Sequence, residues 1–220
     1  MLILAYSLTS LAAYLLGSIP TGFLVGKARG IDIRSLGSGN IGATNVFRYL
    51  GKPAGVFVLL ADAAKGWLAV AVIARLMYGW FYPGANQSAY EGLQITAGLS
   101  AILGHNYTCW LHFKGGKGIA TSAGVLIALV PWPLLIILAI WIVVFALTRY
   151  VSLASIAAAI ALPFASLLTG QSLTLIIVTG LMGALAIYKH KTNIKRLLDG
   201  TENRIGSKKA AVEEPRKHTP

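Results

Sequence analysis

The sequence predicts an all-α, polytopic membrane protein: a helix bundle of about seven transmembrane helices, with the N-terminus outside and the C-terminus in the cytoplasm. The first observation is composition, because 56% of the 220 residues are hydrophobic and only 12% are charged, against about 25% charged in soluble domains. The second is that long apolar runs recur along the chain, giving a mean hydropathy of +0.69. The third is the one-sided placement of basic residues between those runs.

A spanning helix needs about 20 mostly apolar residues, and this length predicts where the spans lie. The first apolar segment has neither a basic leader nor a small-residue cleavage site, so we expect a span and not a cleaved signal peptide. Pro131 and Pro133 predict a turn between a short fourth span and the fifth. If 118–148 forms one bent or re-entrant helix, the count is five or six. The predicted spans are 2–26, 54–78, 93–111, 118–130, 132–148, 151–169 and 171–188.

The basic residues predict the orientation, because the Lys and Arg residues of short loops stay in the cytoplasm. With the N-terminus outside, all but Lys65 and Arg75 of the 19 Lys and Arg residues lie inside, and the outer connection 78–92 has none. The net charge of +12 therefore forms a cytoplasmic basic surface. Such a surface suits anionic lipid headgroups and also a negatively charged substrate.

The chain is predicted to hold one domain. No internal repeat or long linker interrupts residues 1–205, which we expect to form a single transmembrane domain. Residues 206–220 are polar and contain prolines, so they are predicted to be a disordered cytoplasmic tail.

Three segments between the spans are rich in groups that bind phosphate, and the predicted topology places all three on the cytoplasmic side. They are 34–48 (RSLGSGNIGATNVFR), 104–124 (GHNYTCWLHFKGGKGIATSAG) and 189–204 (KHKTNIKRLLDGTENR). The first contains the spacing G-x-G-x-x-G, which also occurs in dinucleotide-binding loops, but there a strand precedes it. Here a membrane span precedes it, so we predict no dinucleotide site.

In the first segment, polar residues alternate with glycines. Backbone N–H groups between Ser38 and Gly42 are able to form an anion nest, with Thr44 or Asn45 capping the helix that follows. Arg48 offers a bidentate fork to a phosphate or a carboxylate. The alternative is a capped, glycine-rich interfacial turn with an arginine that only marks topology.

In the second segment, Lys114 and Lys117 flank Gly115 and Gly116, so two ammonium groups stand beside a backbone that is able to close on an anion. The segment is not a P-loop, because G-x-x-x-x-G-K-[ST] is not met; lysines that only anchor to headgroups are the alternative. His105, at the end of the third span, is either a candidate acid-base group or a hydrogen-bonded interfacial residue. It belongs to no metal-ligand spacing, and we predict no metal.

In the second span, Asp62 and Lys65 lie three residues apart and therefore on one helix face. A charge in the bilayer core is expensive unless it is paired. We expect the two to neutralise each other while facing the bundle interior, with a proton or ion relay as the alternative.

The three segments resemble, in order and in spacing, those of the bacterial acyl-phosphate:glycerol-3-phosphate acyltransferases, over the chain from the first span to about residue 205. The resemblance implies an enzyme of the bacterial cytoplasmic (inner) membrane that transfers an acyl group from acyl phosphate to the 1-hydroxyl of glycerol 3-phosphate. Lysophosphatidic acid and phosphate are then the products, in the first step of phospholipid synthesis. It also implies no acyl-enzyme, no acyl-CoA donor, no metal and no cofactor.

The same resemblance, carried over position by position, implies two sets of site residues. Arg48 and the lysines are expected to hold phosphate groups, while the amides near Ser38 and the side chain of Asn193 position the phosphates or the acyl carbonyl. The base stays open, because either His105 or a substrate phosphate is able to accept the proton. The implied catalytic residues are Ser38, Arg48, His105, Lys117 and Asn193. The implied substrate-binding residues are Gly37, Gly39, Asn40, Gly42, Thr44, Asn45, Lys114, Gly115 and Gly116.

A membrane transporter for phosphorylated metabolites is the alternative from another class. Transporters build their sites from broken helices near the bilayer midplane, often within inverted repeats. This sequence places its polar segments on one side and shows no repeat, which favours the enzyme. The expected partners are acyl phosphate and glycerol 3-phosphate as substrates, with membrane lipids around them. We expect no nucleic acid and infer no protein partner.

Overall fold

The computed structural model of the protein describes residues 1–83 and 87–206. Within these residues the regular structure is helical and contains no strand, which confirms the all-α prediction. Nearly all of the predicted tail, 207–220, lies outside the described residues. The α-helices are α1 Leu2–Ser18, α2 Thr21–Lys27, α3 Ala43–Leu50, α4 Lys52–Leu68, α5 Ala74–Phe81, α6 Gln87–Asn106, α7 Ile119–Leu129, α8 Pro131–Thr148, α9 Val151–Leu168, α10 Leu173–Lys189 and α11 Lys191–Leu198.

Several of these helices are long and apolar enough to cross a membrane. Among the described residues, four segments meet that condition: Leu2–Lys27, Lys52–Phe81, Pro131–Thr148 and Val151–Leu168. A fifth results if α10 and α11, which are bent by 58° at their junction, count as one span. The turn predicted at the prolines is confirmed, because α7 ends at Leu129 and α8 begins at Pro131. α7 has 11 residues and is about 16 Å long, so the count of seven spans stays a prediction.

The first predicted span is broken into two helices. α1 ends at Ser18, shortly before Pro20, which has no backbone N–H to continue the helix. The carbonyl oxygens at the break are satisfied from elsewhere in the bundle. Thr108 Oγ1 donates to Ser18 O over 2.5 Å. Lys65 Nζ donates to Ile19 O over 3.0 Å, so the break carries polar contacts to α4 and to the chain after α6.

The third predicted span, 93–111, ends earlier than expected. α6 stops at Asn106, because Thr108 adopts an extended backbone with φ −64° and ψ 127°. A 3-10 turn, Cys109–Leu111, follows and leads to the glycine-containing loop segment 115–118. The second segment is therefore a loop over most of its length and not the end of a membrane helix.

α7 is held close against α4, and this contact places the loop segment 115–118, which leads into α7. A Cβ atom on Gly124 would lie 1.8 Å from Ala63 O, and one on Gly66 would lie 2.1 Å from Thr121 O. The two helices therefore touch backbone to backbone. Around this pair, α1 packs against α6, while α9 packs against both α8 and α10.

We expect Gly124→Ala to destabilise the protein, because the added methyl group has no space against Ala63 O. Overpacking of this kind costs about 1–3 kcal/mol, so the thermal unfolding midpoint in detergent should fall by several degrees. Gly79→Ala is the matched control, since nothing lies within 4 Å of a Cβ atom at that position in α5. Equal midpoints for the two variants would contradict the close packing of α4 and α7.

Candidate active site

A cavity of about 560 Å³ opens between α3, α4 and helices α7 to α11, within the usual range for small-molecule sites. A second, more open cleft between α1 and α6 contains none of the predicted site residues. Most of the polar lining, here called the polar end, consists of Ser38, Asn40, Thr44, Asn45, Arg48, Asp62, His105, Lys117, Ser152, Asn193, Arg196 and Glu202. The part of the cavity lined by large apolar side chains is here called the apolar groove. These side chains are Val56, Leu59, Leu126, Leu134, Ile137, Leu138, Trp141, Phe145, Leu162 and Met182.

The apolar groove runs away from the polar end along α9. Ser152, at the start of this helix, belongs to the polar end and donates to Glu202 Oε1 over 3.0 Å. Leu162 lines the cavity ten residues further on, about 15 Å away along the helix. Along α9 the lining of the cavity therefore changes from polar at Ser152 to aliphatic at Leu162.

Predicted residues from all three polar segments meet at this cavity. Those that line it are Ser38, Asn40, Gly42, Thr44, Asn45, Arg48, His105, Lys117 and Asn193. Those that do not line it are Gly37, Gly39, Lys114, Gly115 and Gly116. Gly37 and Gly39 serve the backbone of the loop, with φ values of +57° and +68°, a region that favours glycine. The side chain of Lys114 is exposed.

Only part of the predicted anion nest between Ser38 and Gly42 is able to donate to an anion. Ser38 N donates to Asn45 Oδ1 over 3.3 Å, and Gly39 N donates to a carbonyl oxygen of the same loop over 3.0 Å. Gly42 N donates to Asn40 Oδ1 over 2.8 Å. The loop uses these three N–H groups for its own fold, whereas those of Asn40 and Ile41 have no acceptor among the described residues.

The predicted cap of α3 is also wrong, because the N-cap residue is Gly42 and neither Thr44 nor Asn45 caps the helix. Asn45 is buried, and its Nδ2 donates to two carbonyl oxygens of the preceding loop at 3.0 and 3.2 Å. The first backbone N–H groups of α3, at Ala43 and Thr44, have no acceptor among the described residues. Both residues line the cavity. The positive end of α3 therefore borders the cavity.

A chain of hydrogen-bonded side chains joins the second segment to the third. Lys117 Nζ donates to Asn193 Oδ1, and Asn193 Nδ2 donates to Glu202 Oε1 over 2.9 Å. Arg196 Nε donates to the other oxygen of Glu202 over 2.8 Å. Glu202 therefore orients the amide of Asn193, with its carbonyl oxygen toward Lys117.

The polar end carries a net positive charge. Burial would raise the pKa of Glu202, but hydrogen bonds from Arg196 and Asn193 outweigh it and hold that pKa below its usual value. Glu202 is bound to Arg196 and Asp62 to Lys65, whereas Arg48 and Lys117 form no ion pair among the residues that the structure describes. Arg48 is held in place by donation from its Nη2 to Asn203 O over 3.1 Å. The charges of Arg48 and Lys117 are therefore available to an anionic ligand.

The pairing predicted for Asp62 and Lys65 is confirmed. Lys65 Nζ lies 2.9 Å from Asp62 Oδ1, and the two side chains are 5% and 3% exposed. Asp62 also lines the polar end, where its Oδ1 lies 3.7 Å from His105 Nδ1. His105 O in turn accepts a hydrogen bond from Gly116 N over 3.0 Å. The ion pair therefore borders the same cavity as His105.

Sequence reasoning missed several polar residues of the cavity: Ser152, Ser155, His190, Arg196 and Glu202. Three of them lie in or next to the third segment, whose polar composition was the available signal. The two serines occur three residues apart on a largely apolar helix, and this spacing places them on one face. Within 1–83 and 87–206, no group of three His, Cys, Asp or Glu side chains is placed to hold a metal ion.

Comparisons with known proteins agree in one family. The family model described as "Glycerol-3-phosphate acyltransferase" matches residues 7–200. The glycerol-3-phosphate acyltransferase of Geotalea daltonii is 47% identical over 193 residues, which cover 88% of this chain and 94% of that protein. That of Synechococcus sp. (strain JA-3-3Ab) is 45% identical over 203 residues, which cover 91% and 94%.

Solved structures give the same result for the fold. The crystal structure of PlsY (YgiH), an integral membrane glycerol 3-phosphate acyltransferase, matches in its glycerol 3-phosphate form with a TM-score of 0.80 and 40% identity, covering 91% of this chain and 96% of that one. Its lysophosphatidic acid form matches with a TM-score of 0.78 and 40% identity, covering 91% and 95%. The chain is therefore an integral membrane protein that belongs to the glycerol-3-phosphate acyltransferase family.

Proposed function

We propose that the protein transfers a fatty acyl group from acyl phosphate to the 1-hydroxyl of glycerol 3-phosphate, giving lysophosphatidic acid and phosphate. The observation that carries the proposal is one cavity whose positively charged polar end continues into an apolar groove. Two phosphate-bearing substrates need positive charge, and a fatty acyl chain needs an apolar path. The glycerol 3-phosphate and lysophosphatidic acid forms of PlsY support this acceptor and this product.

Arg48 and Lys117 are proposed to bind the phosphate groups. Their charges carry no carboxylate partner among the described residues, and both side chains line the polar end. An arginine binds a phosphate with two parallel N–H donors, whereas a lysine acts as a point charge. The first N–H groups of α3, beside Thr44, add donors of the kind that bind phosphate at helix N-termini.

Acyl phosphate is a mixed anhydride and is already activated, so no acyl-enzyme is needed. The 1-hydroxyl oxygen of glycerol 3-phosphate attacks the acyl carbonyl carbon, and the bond from that carbon to the phosphate oxygen breaks. Phosphate leaves with the electron pair of the broken bond. The protein has to hold two anions together and to stabilise the charge that develops on the carbonyl and phosphate oxygens. Arg48 and Lys117 supply that stabilisation, and the proposal therefore needs no metal.

The proton of the attacking hydroxyl passes to His105 or to an oxygen of a substrate phosphate. We favour the phosphate, with His105 orienting a partner, because an anhydride makes little demand on the base. In that case His105→Gln should lower kcat at saturating substrate by no more than about 10- to 100-fold, the range for loss of a positioning group. A loss of kcat of about 100-fold or more would instead favour His105 as the base.

The apolar groove is proposed to hold the acyl chain. Its deepest residue on α9, Leu162, lies about 15 Å along that helix from Ser152 of the polar end, which is close to half of the ~30 Å bilayer core. Leu59 of α4 and Leu138 of α8 line the groove and are 47% and 45% exposed. We infer that the groove opens to the lipid between α4 and α8 and that the acyl chain enters there.

The reaction is proposed to take place at the cytoplasmic face of the bacterial inner membrane. The distribution of Lys and Arg residues supports this orientation, with the N-terminus outside. The segments predicted to be cytoplasmic also provide much of the polar end. Glycerol 3-phosphate then enters from the cytoplasm while the acyl chain stays in the bilayer.

The testing experiment is acyl transfer by the purified protein in detergent with a metal chelator present. We expect phosphate release that requires both acyl phosphate and glycerol 3-phosphate, and no reaction with acyl-CoA as the donor. Transport needs a sealed compartment, so turnover in detergent would also exclude the transporter. Absence of turnover from folded protein would contradict the proposal.

The pH dependence of the reaction should report Lys117. Burial lowers the pKa of this ammonium group from its usual value to about 8; Glu202 opposes the shift, whereas Arg196 and Arg48 add to it. The cationic form is present below this pKa and is lost above it, so kcat/KM should fall as the pH rises through about 8. Lys117→Arg should move the fall to higher pH, since arginine stays charged. An unchanged alkaline limb in that variant would show that another group causes it.

A further inference from the structure

The ring of His105 is buried, yet its Nδ1 has no hydrogen-bond partner in the part of the chain that the structure describes. A buried ring nitrogen without a partner is unfavourable. Asp62 Oδ1 lies 3.7 Å away, which is beyond hydrogen-bond distance. Hydrogen bonds of functional residues are often long without substrate and shorten when it binds.

The carboxylate of Asp62 is itself held in place by two donors from different helices. Thr21 Oγ1 of α2 donates to Asp62 Oδ1 over 3.0 Å. Lys65 Nζ of α4 lies 2.9 Å from the same oxygen and also donates to Ile19 O over 3.0 Å. The break between α1 and α2 therefore supplies both the hydroxyl of Thr21 and the carbonyl oxygen that anchors Lys65.

The other nitrogen of the ring borders the loop segment 115–118. A Cβ atom on Gly116 would lie 2.1 Å from His105 Nε2, so the ring packs directly on the backbone next to Lys117. A neutral imidazole carries one N–H, and the group that accepts from it decides which nitrogen that is. When Asp62 accepts the hydrogen bond, the hydrogen of the neutral imidazole is on Nδ1. Nε2 then carries no hydrogen and is able to accept a hydrogen bond beside the segment 115–118.

We propose that Asp62 is a positioning residue: its carboxylate accepts a hydrogen bond from His105 Nδ1 when substrate fills the cavity, and so fixes the orientation and tautomer of the imidazole. The inference rests on the proposed function, in which His105 takes part in acyl transfer as base or as orienting group. If the only role of Asp62 were to neutralise the charge of Lys65, its carboxylate would not need to border the cavity or to face His105. Asp62 does both.

A matched pair of double variants separates positioning from charge pairing. Asp62→Asn with Lys65→Met removes the ion pair but keeps an oxygen that accepts from His105 Nδ1. Asp62→Leu with Lys65→Met removes both, and apolar replacement of a buried ion pair is often neutral for stability. We expect the Leu variant to have a kcat about 10- to 100-fold below that of the Asn variant, the range found when the partner of a metal-ligating histidine is removed. KM for glycerol 3-phosphate should be similar in both, and equal kcat values would overturn the inference.

A spectroscopic measurement on the unaltered protein tests the same inference without altering Asp62 or Lys65. Nitrogen-15 NMR of histidine-labelled protein in detergent, with glycerol 3-phosphate added, reports the tautomer of each neutral imidazole. His105→Gln identifies the signal of His105. We expect the hydrogen on Nδ1, and a hydrogen on Nε2 would overturn the inference. Absence of acyl transfer by the same protein would instead contradict the proposed function, so the two failures are distinguishable.

Discussion

Lys117→Ala is expected to lower kcat/KM for acyl transfer by about 100-fold or more. Lys117 lines the polar end without a carboxylate partner among the described residues, and its Nζ is held by Asn193 Oδ1. Removal of one group that stabilises developing charge in a water-excluded site typically lowers kcat by about 10²–10³. Steady-state phosphate release in detergent, with each substrate varied in turn, measures the change.

Lys114→Ala is the matched control for this prediction. Lys114 is three residues away, carries the same charge, and is exposed and outside the cavity. We expect its kcat/KM to stay within a few-fold of the unaltered protein. Equal losses in the two variants would mean that the lysines act through the charge of the membrane surface and not through a bound phosphate.

Arg48→Ala is expected to produce a loss of similar size, again about 100-fold in kcat/KM. Arg48 lines the polar end, and its contact with Asn203 O leaves other N–H groups of the guanidinium for a phosphate. Arg48→Lys should recover only part of the activity, because an ammonium group does not provide the two parallel donors of arginine. Kinetics of the three proteins at the same pH measure both effects.

Arg34→Ala serves as the control for Arg48. Arg34 is exposed and pairs with Asp32 over 2.7 Å at the surface, so its removal should change kcat/KM little. Thermal unfolding of each variant checks that Arg48→Ala does not act through stability, since Arg48 also ties α3 to the third segment. A full loss of activity with Arg34→Ala would contradict the assignment of Arg48 to the site.

Features that depend on neighbours in the sequence could be predicted from it. The turn at Pro131 follows from the missing N–H of proline, and the pairing of Asp62 with Lys65 follows from their helical spacing. Glycine-rich and basic segments were expected on one side of the bundle, and the structure brings residues of all three into one cavity. These predictions needed only composition, periodicity and local chemistry.

Features that depend on the packing of distant segments could not be predicted. Lys117 and Asn193 are 76 residues apart in the chain, and the role of Glu202 in orienting Asn193 exists only once α9 and α11 are in place. Three donors of the predicted nest are used within the loop, which folds back on Asn45, on Asn40 and on its own carbonyl oxygen at Leu36. Nothing in the local pattern indicates which N–H groups a loop keeps for itself.

The most direct measurement is an experimental structure of the protein with a non-hydrolysable acyl phosphonate, in which the reactive anhydride oxygen is replaced by carbon. We expect the phosphonate within hydrogen-bond distance of Lys117 and Arg48, with the acyl chain along α9 toward Leu162. Binding of the phosphonate at the exposed Lys114, or an acyl chain on the outer surface of the bundle, would contradict the placement of both substrates in this cavity.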